Sequence, residues 1–137
     1  MSFPPRKAAS NNLLVPVLVV AALALAYGIS SSKIEPPKDD AWFQQHVSGK
    51  EGLVLVKFGA EWCGPCREMD RTLSEYQASA QPIPVHLVDV DQQPELAQHF
   101  RVSGIPKLFL FKEGEVVSQQ TGSMPLDQLA AWIEQYR

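Results

Sequence analysis

The chain has 137 residues, a formal net charge of −3, 45% hydrophobic residues and two cysteines. A charge balance this close to neutral, with no basic cluster, argues against nucleic acid as a partner. Nothing recurs at a solenoid period, and setting residues 1–38 apart leaves roughly a hundred residues, an ordinary size for one core.

Residues 1–12 read as an N-terminal tail. Residues 13–29, LLVPVLVVAALALAYGI, carry no charge. As a helix they would reach about 26 Å, near the lower limit for a bilayer core of about 30 Å. Arg6 and Lys7 precede this segment, as in a signal peptide or signal anchor. The small-x-small pattern Ala24-Leu25-Ala26 also fits a signal cleaved near Ala26. Lys33 and Lys38 follow the span and balance the basic pair before it. The short tail and its α-amino charge therefore decide for an N-in anchor, with the domain outside the cytoplasm, in the periplasm of a Gram-negative cell. Residues 30–38, with Ser30-Ser31-Ser32 and Pro36-Pro37, read as a linker.

The domain spans residues 39–137. Asp39-Asp40 is placed to cap a helix running to about Val47. Leu53 to Phe58 is an apolar run broken only by Lys57, the pattern of a strand covered on both faces. Residues from Cys66 through Ala80 hold no Gly or Pro, so a long helix is expected to begin at about Cys63, with Pro65 in its first turn where a missing N–H is no loss. Val85 to Val90 reads as a strand and Pro94 to Phe100 as a short helix. Leu108 to Phe111 and Val116 to Thr121 form a hairpin around Glu113-Gly114, and Leu126 to Tyr136 is a closing amphipathic helix. This is an α/β order with a mixed sheet.

Both cysteines lie in Cys63-Gly64-Pro65-Cys66. A tetrahedral zinc site needs about four ligands, and His46, His86 and His99 do not stand at ligand spacing from the pair or from each other. A structural staple across so short a loop removes little chain entropy. Dithiol chemistry remains. At the start of a helix, unpaired N–H groups and the positive end of the dipole face the Cys63 sulfur, which favours its thiolate and makes it the nucleophile. Cys66, one turn further in, is then placed to attack the mixed disulfide and release the product.

The residues after position 39 resemble the thioredoxin family. The resemblance is carried by Phe58, Ala60-Glu61-Trp62-Cys63-Gly64-Pro65-Cys66, Val88, Asp91, Val102, Gly104-Ile105-Pro106, Leu108 to Lys112, Gly114 and Gly122. It implies a thioredoxin fold, a central mixed β-sheet flanked by helices, with Trp62, Gly64 and Pro65 framing the cysteines. It also implies a cis peptide bond before Pro106, with Gly104, Ile105 and Pro106 forming the loop that receives a substrate chain. Trp62 is expected to cover the cysteine pair.

Several residues depart from the family. Lys57 stands where a buried Asp is usual; it either snorkels to solvent or sits near Cys66, where its charge would favour the thiolate. Leu87 occupies the place of a partner lysine, Gly59 that of an aromatic, Arg71 that of a helix-kinking Pro, and Lys107 follows Pro106 where Thr is frequent. The expected activity is thiol–disulfide exchange on protein disulfides or dithiols, driven by an upstream thiol donor, tethered to a membrane by residues 13–29 and needing no bound cofactor or metal. The Gly-Pro dipeptide resembles reducing members, with an oxidase, or a non-catalytic binding module, as the alternatives.

Overall fold

The computed structural model of the protein describes residues 33–137. The segment 13–29, read above as a membrane span or signal, lies outside the described residues. Ile34–Arg137 forms one compact unit. Among the described residues no helix is long and apolar enough to cross a membrane.

Helix α1 (Ala41–His46) begins where Asp40 accepts from the Phe43 N–H at 2.7 Å, satisfying one of the donors that a helix start leaves free. Strand β1 (Leu53–Gly59) is buried along its whole length. Helix α2 (Gly64–Gln77) follows, then β2 (Val85–Asp89), α3 (Pro94–His99), β3 (Lys107–Lys112), β4 (Glu115–Thr121) and α4 (Leu126–Glu134). The strands form one mixed sheet in the order β2-β1-β3-β4, with β1 and β2 parallel and the other pairs antiparallel. The β3–β4 hairpin closes on Glu113 and Gly114, at φ of 55° and 84°. Two successive left-handed residues are what a tight hairpin turn needs.

Strand periodicity sorts the core onto two faces. Val54, Val56 and Phe58 point with Phe109 and Phe111 toward α1 and α3, where Phe43, Val47, Leu96, Ala97 and Phe100 complete one cluster. The Phe100 ring lies within 5.2–5.8 Å of four other phenylalanine rings. Leu53 and Leu55 point the other way with Leu108 and Leu110, beneath Met69, Leu73 and Tyr76 of α2 and Leu129, Trp132 and Ile133 of α4. The α2 residues that pack here recur at helical spacing, so one stripe of that helix faces the sheet. Lys57 and Gly59 share this second face, under the start of α2.

Contacts with the domain begin ahead of Asp39. Ile34 packs on the first cluster, the Glu35 carbonyl accepts from His99 Nε2, and the carbonyls of Pro37 and Lys38 accept from the Gln44 amide. Part of the stretch read as linker is therefore docked on the domain.

At the edge of the sheet His86 lies 4.9 Å, ring to ring, from His46, whose Nδ1 donates to the Trp42 carbonyl. Burial, then the neighbouring His46 and Lys50, lower the His86 pKa from 6.5. The native state thus binds this proton less readily than the unfolded chain does, so stability holds above 6.5 and is lost as the pH falls from there toward the lowered native value. Replacing His86 with Gln should flatten the fall in urea midpoint between about pH 7.5 and 5.5; an unchanged slope would assign the acid sensitivity to other groups.

Candidate active site

The site is built where β1 ends and α2 begins. Cys63 is the N-cap of α2, in an extended conformation, and its Sγ accepts from the Cys66 N–H at 3.2 Å. A backbone donor of the first turn is therefore spent on the sulfur itself, the arrangement that favours a thiolate at that position. Gly64 and Pro65 occupy the first helical positions, where Pro65 leaves no donor unsatisfied. The two sulfurs are joined as a disulfide, with Cα atoms 5.2 Å apart. Cys63 retains 6% exposure and Cys66 none, so Cys63 is the outer member of the pair.

Ala60, Val90 and Ile105 pack against the pair. Ile105 belongs to the loop whose bond to Pro106 is cis, as the resemblance implies. This loop also carries Gly104, and the Pro106 carbonyl anchors it by accepting from the Gly122 N–H at 2.8 Å. Trp62 is 70% exposed, and its indole N–H donates to Asp91 Oδ2 at 2.8 Å.

Lys57 is buried, at 4% exposure, and its Nζ meets Asp70 Oδ1 at 2.5 Å. The snorkelling alternative is thereby set aside: the stem turns inward under α2 rather than toward water. A Cβ built on Gly59 would lie 2.9 Å from Lys57 Nζ and 3.1 Å from Cys66 Sγ. Both atoms flank one point, so ammonium and sulfur are no more than about 6 Å apart, close enough for the charge to act on the thiol. The space that an aromatic side chain at position 59 would take is filled by the lysine. A cleft of about 330 Å³ opens beside the pair, lined by Lys57, Gly59, Glu61, Arg67, Asp70 and Asp89 among others.

The structure thus brings Lys57, Trp62, Cys63, Gly64, Pro65, Cys66 and the Gly104-Ile105-Pro106 loop together. Asp70 was not singled out from the sequence. Its signal was present: it stands four residues after Cys66, on the same face of α2. Among the described residues no group of three or more His, Cys, Asp or Glu side chains is placed to hold a metal ion.

A disulfide at a helix start, beside a cis-proline loop and on a four-stranded mixed sheet, defines a dithiol exchange site, and comparison with known proteins agrees. The thioredoxin family model matches residues 35–135, and the chain belongs to the thioredoxin family. It is 45% identical over 95 residues to a thioredoxin of Alicyclobacillus acidocaldarius, covering 69% of this chain and 90% of that one. It is 42% identical over 98 residues to a thioredoxin of Listeria monocytogenes, covering 71% and 93%. Among solved structures the thioredoxin of Malassezia sympodialis superposes with a TM-score of 0.60 at 27% identity, covering 69% of this chain and 82% of that one. The protein is a thiol–disulfide oxidoreductase with the redox-active sequence Cys63-Gly64-Pro65-Cys66.

Gly59 is the tightest point of the site. Its Lys57 neighbour is buried and paired, so the amine cannot swing aside without breaking its contact with Asp70. Gly59→Ala should cost about 1–3 kcal/mol of stability by overpacking, read from urea denaturation of the oxidised protein. Lys57→Ala in the same chain should recover part of that loss; no recovery would place the clash elsewhere.

Proposed function

We propose that the protein is a membrane-tethered reductase of protein disulfides in which Cys63 is the nucleophile and Cys66 the resolving thiol. The observation that carries the assignment of roles is the N-cap: Cys63 Sγ receives the Cys66 N–H, and Cys63 is the less buried member of the pair. In the reduced protein the Cys63 thiolate attacks one sulfur of a substrate disulfide, and the other substrate sulfur leaves as a thiolate. Cys66, having lost its proton, attacks Cys63 Sγ; the Cys63–Cys66 bond forms and the substrate leaves with both sulfurs reduced. An upstream dithiol donor then reverses the chemistry on the protein. The two sulfurs carry the electron pair throughout, so the exchange itself calls on no bound cofactor.

The substrate chain is seated against Gly104, Ile105 and Pro106, with Trp62 beside it. The support is position: Ile105 already packs on the cysteine cluster, and Trp62 offers an exposed, tethered apolar face. The reducing direction is supported by Gly64-Pro65, the dipeptide of reducing members near about −270 mV rather than of strong oxidants near about −120 mV. Reduced protein should alkylate at Cys63 much faster than at Cys66 near neutral pH, and Cys66→Ser should trap mixed disulfides on Cys63 while abolishing insulin reduction. Equal alkylation rates, or preference for Cys66, would reverse the roles, and a wild-type protein inert toward insulin would leave the fold as a binding module.

Tethering rests on the uncharged run at 13–29 and the basic residues before it. With the N-terminus in the cytoplasm, the domain works in the periplasm. Protease added outside spheroplasts should digest the domain, and the full-length chain should stay with membranes through an alkaline carbonate wash. A soluble species beginning near Tyr27 would identify a cleaved signal instead.

A further inference from the structure

Exchange at this site requires Cys66, which is fully buried, to become a thiolate during the resolving step. A buried sulfur resists ionisation because burial disfavours the charged form. Among the described residues, the cation beside it is Lys57, on β1. Three of the other charged groups on the surrounding elements are engaged elsewhere. Arg67 of α2 donates to the Glu61 carbonyl at 2.9 Å. Asp89, at the end of β2, accepts from the N–H groups of Asp91 and Gln92. Lys107 of β3 donates to the Thr121 hydroxyl at 3.0 Å. Glu61 and Asp70 complete the cleft, and of these Asp70 touches the lysine.

A buried ammonium left without a counter-charge either loses its proton or turns toward water. Either change removes the positive charge from the sulfur. We propose that Asp70 is a positioning residue for thiol–disulfide exchange: its carboxylate keeps the Lys57 side chain charged and turned inward, and the pair so held stabilises the Cys66 thiolate. The inference rests on the assignment of Cys66 as the resolving thiol. In that step the Cys66 proton leaves to water through the cleft beside Lys57 and Asp70. The sulfur lone pair forms the bond to Cys63 Sγ, and the bond from Cys63 to the substrate sulfur breaks, its electrons leaving with the substrate thiolate. Asp70 is suited to this part because its side chain is 39% exposed: one oxygen holds the lysine while the group remains open to solvent at the cleft. Its position four residues after Cys66 puts both on one face of α2, so the helix that presents the thiol also presents the counter-charge.

The test separates the two sulfurs in time. Reduced protein mixed with 5,5′-dithiobis(2-nitrobenzoate) releases one thionitrobenzoate as Cys63 attacks and a second as Cys66 resolves the mixed disulfide. Because Cys63 is already blocked in the second phase, its pH midpoint belongs to Cys66 and escapes the coupling of two free thiols. Asp70→Asn should raise that midpoint by about one unit and slow the second phase about tenfold at neutral pH. The first phase should change by less than about twofold, and Asp70→Glu should restore the second. Lys57→Met should reproduce the effect, and Asp70→Asn added to Lys57→Met should change the rate by less than about twofold more, since the aspartate acts through the lysine. That double variant buries no unpaired charge, so it also controls for loss of fold. A midpoint unmoved or lowered by Asp70→Asn, or an equal effect in the Lys57→Met background, would overturn the proposal. A wild-type protein that releases no second equivalent would instead overturn the exchange roles themselves.

Discussion

An ammonium buried between a sheet and a helix must be paired, and this requirement organises the junction of β1 and α2. Lys57 enters the face of the sheet that α2 covers, where Leu53 and Leu55 are its neighbours along the strand. Solvation lost there is recovered only through a close anion and a site shaped to hold both. Asp70 supplies the anion at 2.5 Å. Gly59 supplies the room, since any side chain at that position meets the amine and the sulfur at once. Two departures from the family pattern, Lys57 and Gly59, together with Asp70, are thus one physical solution.

The outer half of the site obeys a different constraint. The start of a helix leaves donors unpaired, and here the cap is a sulfur rather than an oxygen. The same donor that stabilises the helix start stabilises negative charge on Cys63. Cys66 receives no such help: its Sγ lies inside the first turn, against the sheet. The two sulfurs thus have different polar neighbours, the Cys66 backbone N–H for Cys63 and the Lys57 side chain for Cys66.

Much of this was legible in the sequence. The apolar run of β1, broken only by Lys57, the Asp40 cap, the turn at Glu113-Gly114 and the Cys-Gly-Pro-Cys string each carry a local signal strong enough to place their elements. The ends of elements were less legible. Helix α2 stops at Gln77 although no Gly or Pro stands before Ala80, because its last turn closes through the Ala78 N–H onto carbonyls of the preceding residues and no residue type announces that. Ile34 to Lys38 reads as linker because proline and charge predict no regular element. Composition does not reveal that its carbonyls find donors in Gln44 and His99.

The site residues divide along the same line. Cys63, Cys66 and Pro65 are recognisable because their chemistry or backbone geometry is written in residue type and short spacing, whereas the part of Pro106 is legible only through the family resemblance. Lys57 is not, since the period of a strand says which face a side chain takes but not whether a long stem then reaches water. Its fate depends on what lies across the interface, and that partner is thirteen residues away on another element. Trp62 is fixed in the same way: its indole N–H donates to Asp91, placed by the turn after β2 and twenty-nine residues away. Pairings across elements decide where these side chains settle, and those pairings are properties of the folded sheet and helix rather than of any window of sequence.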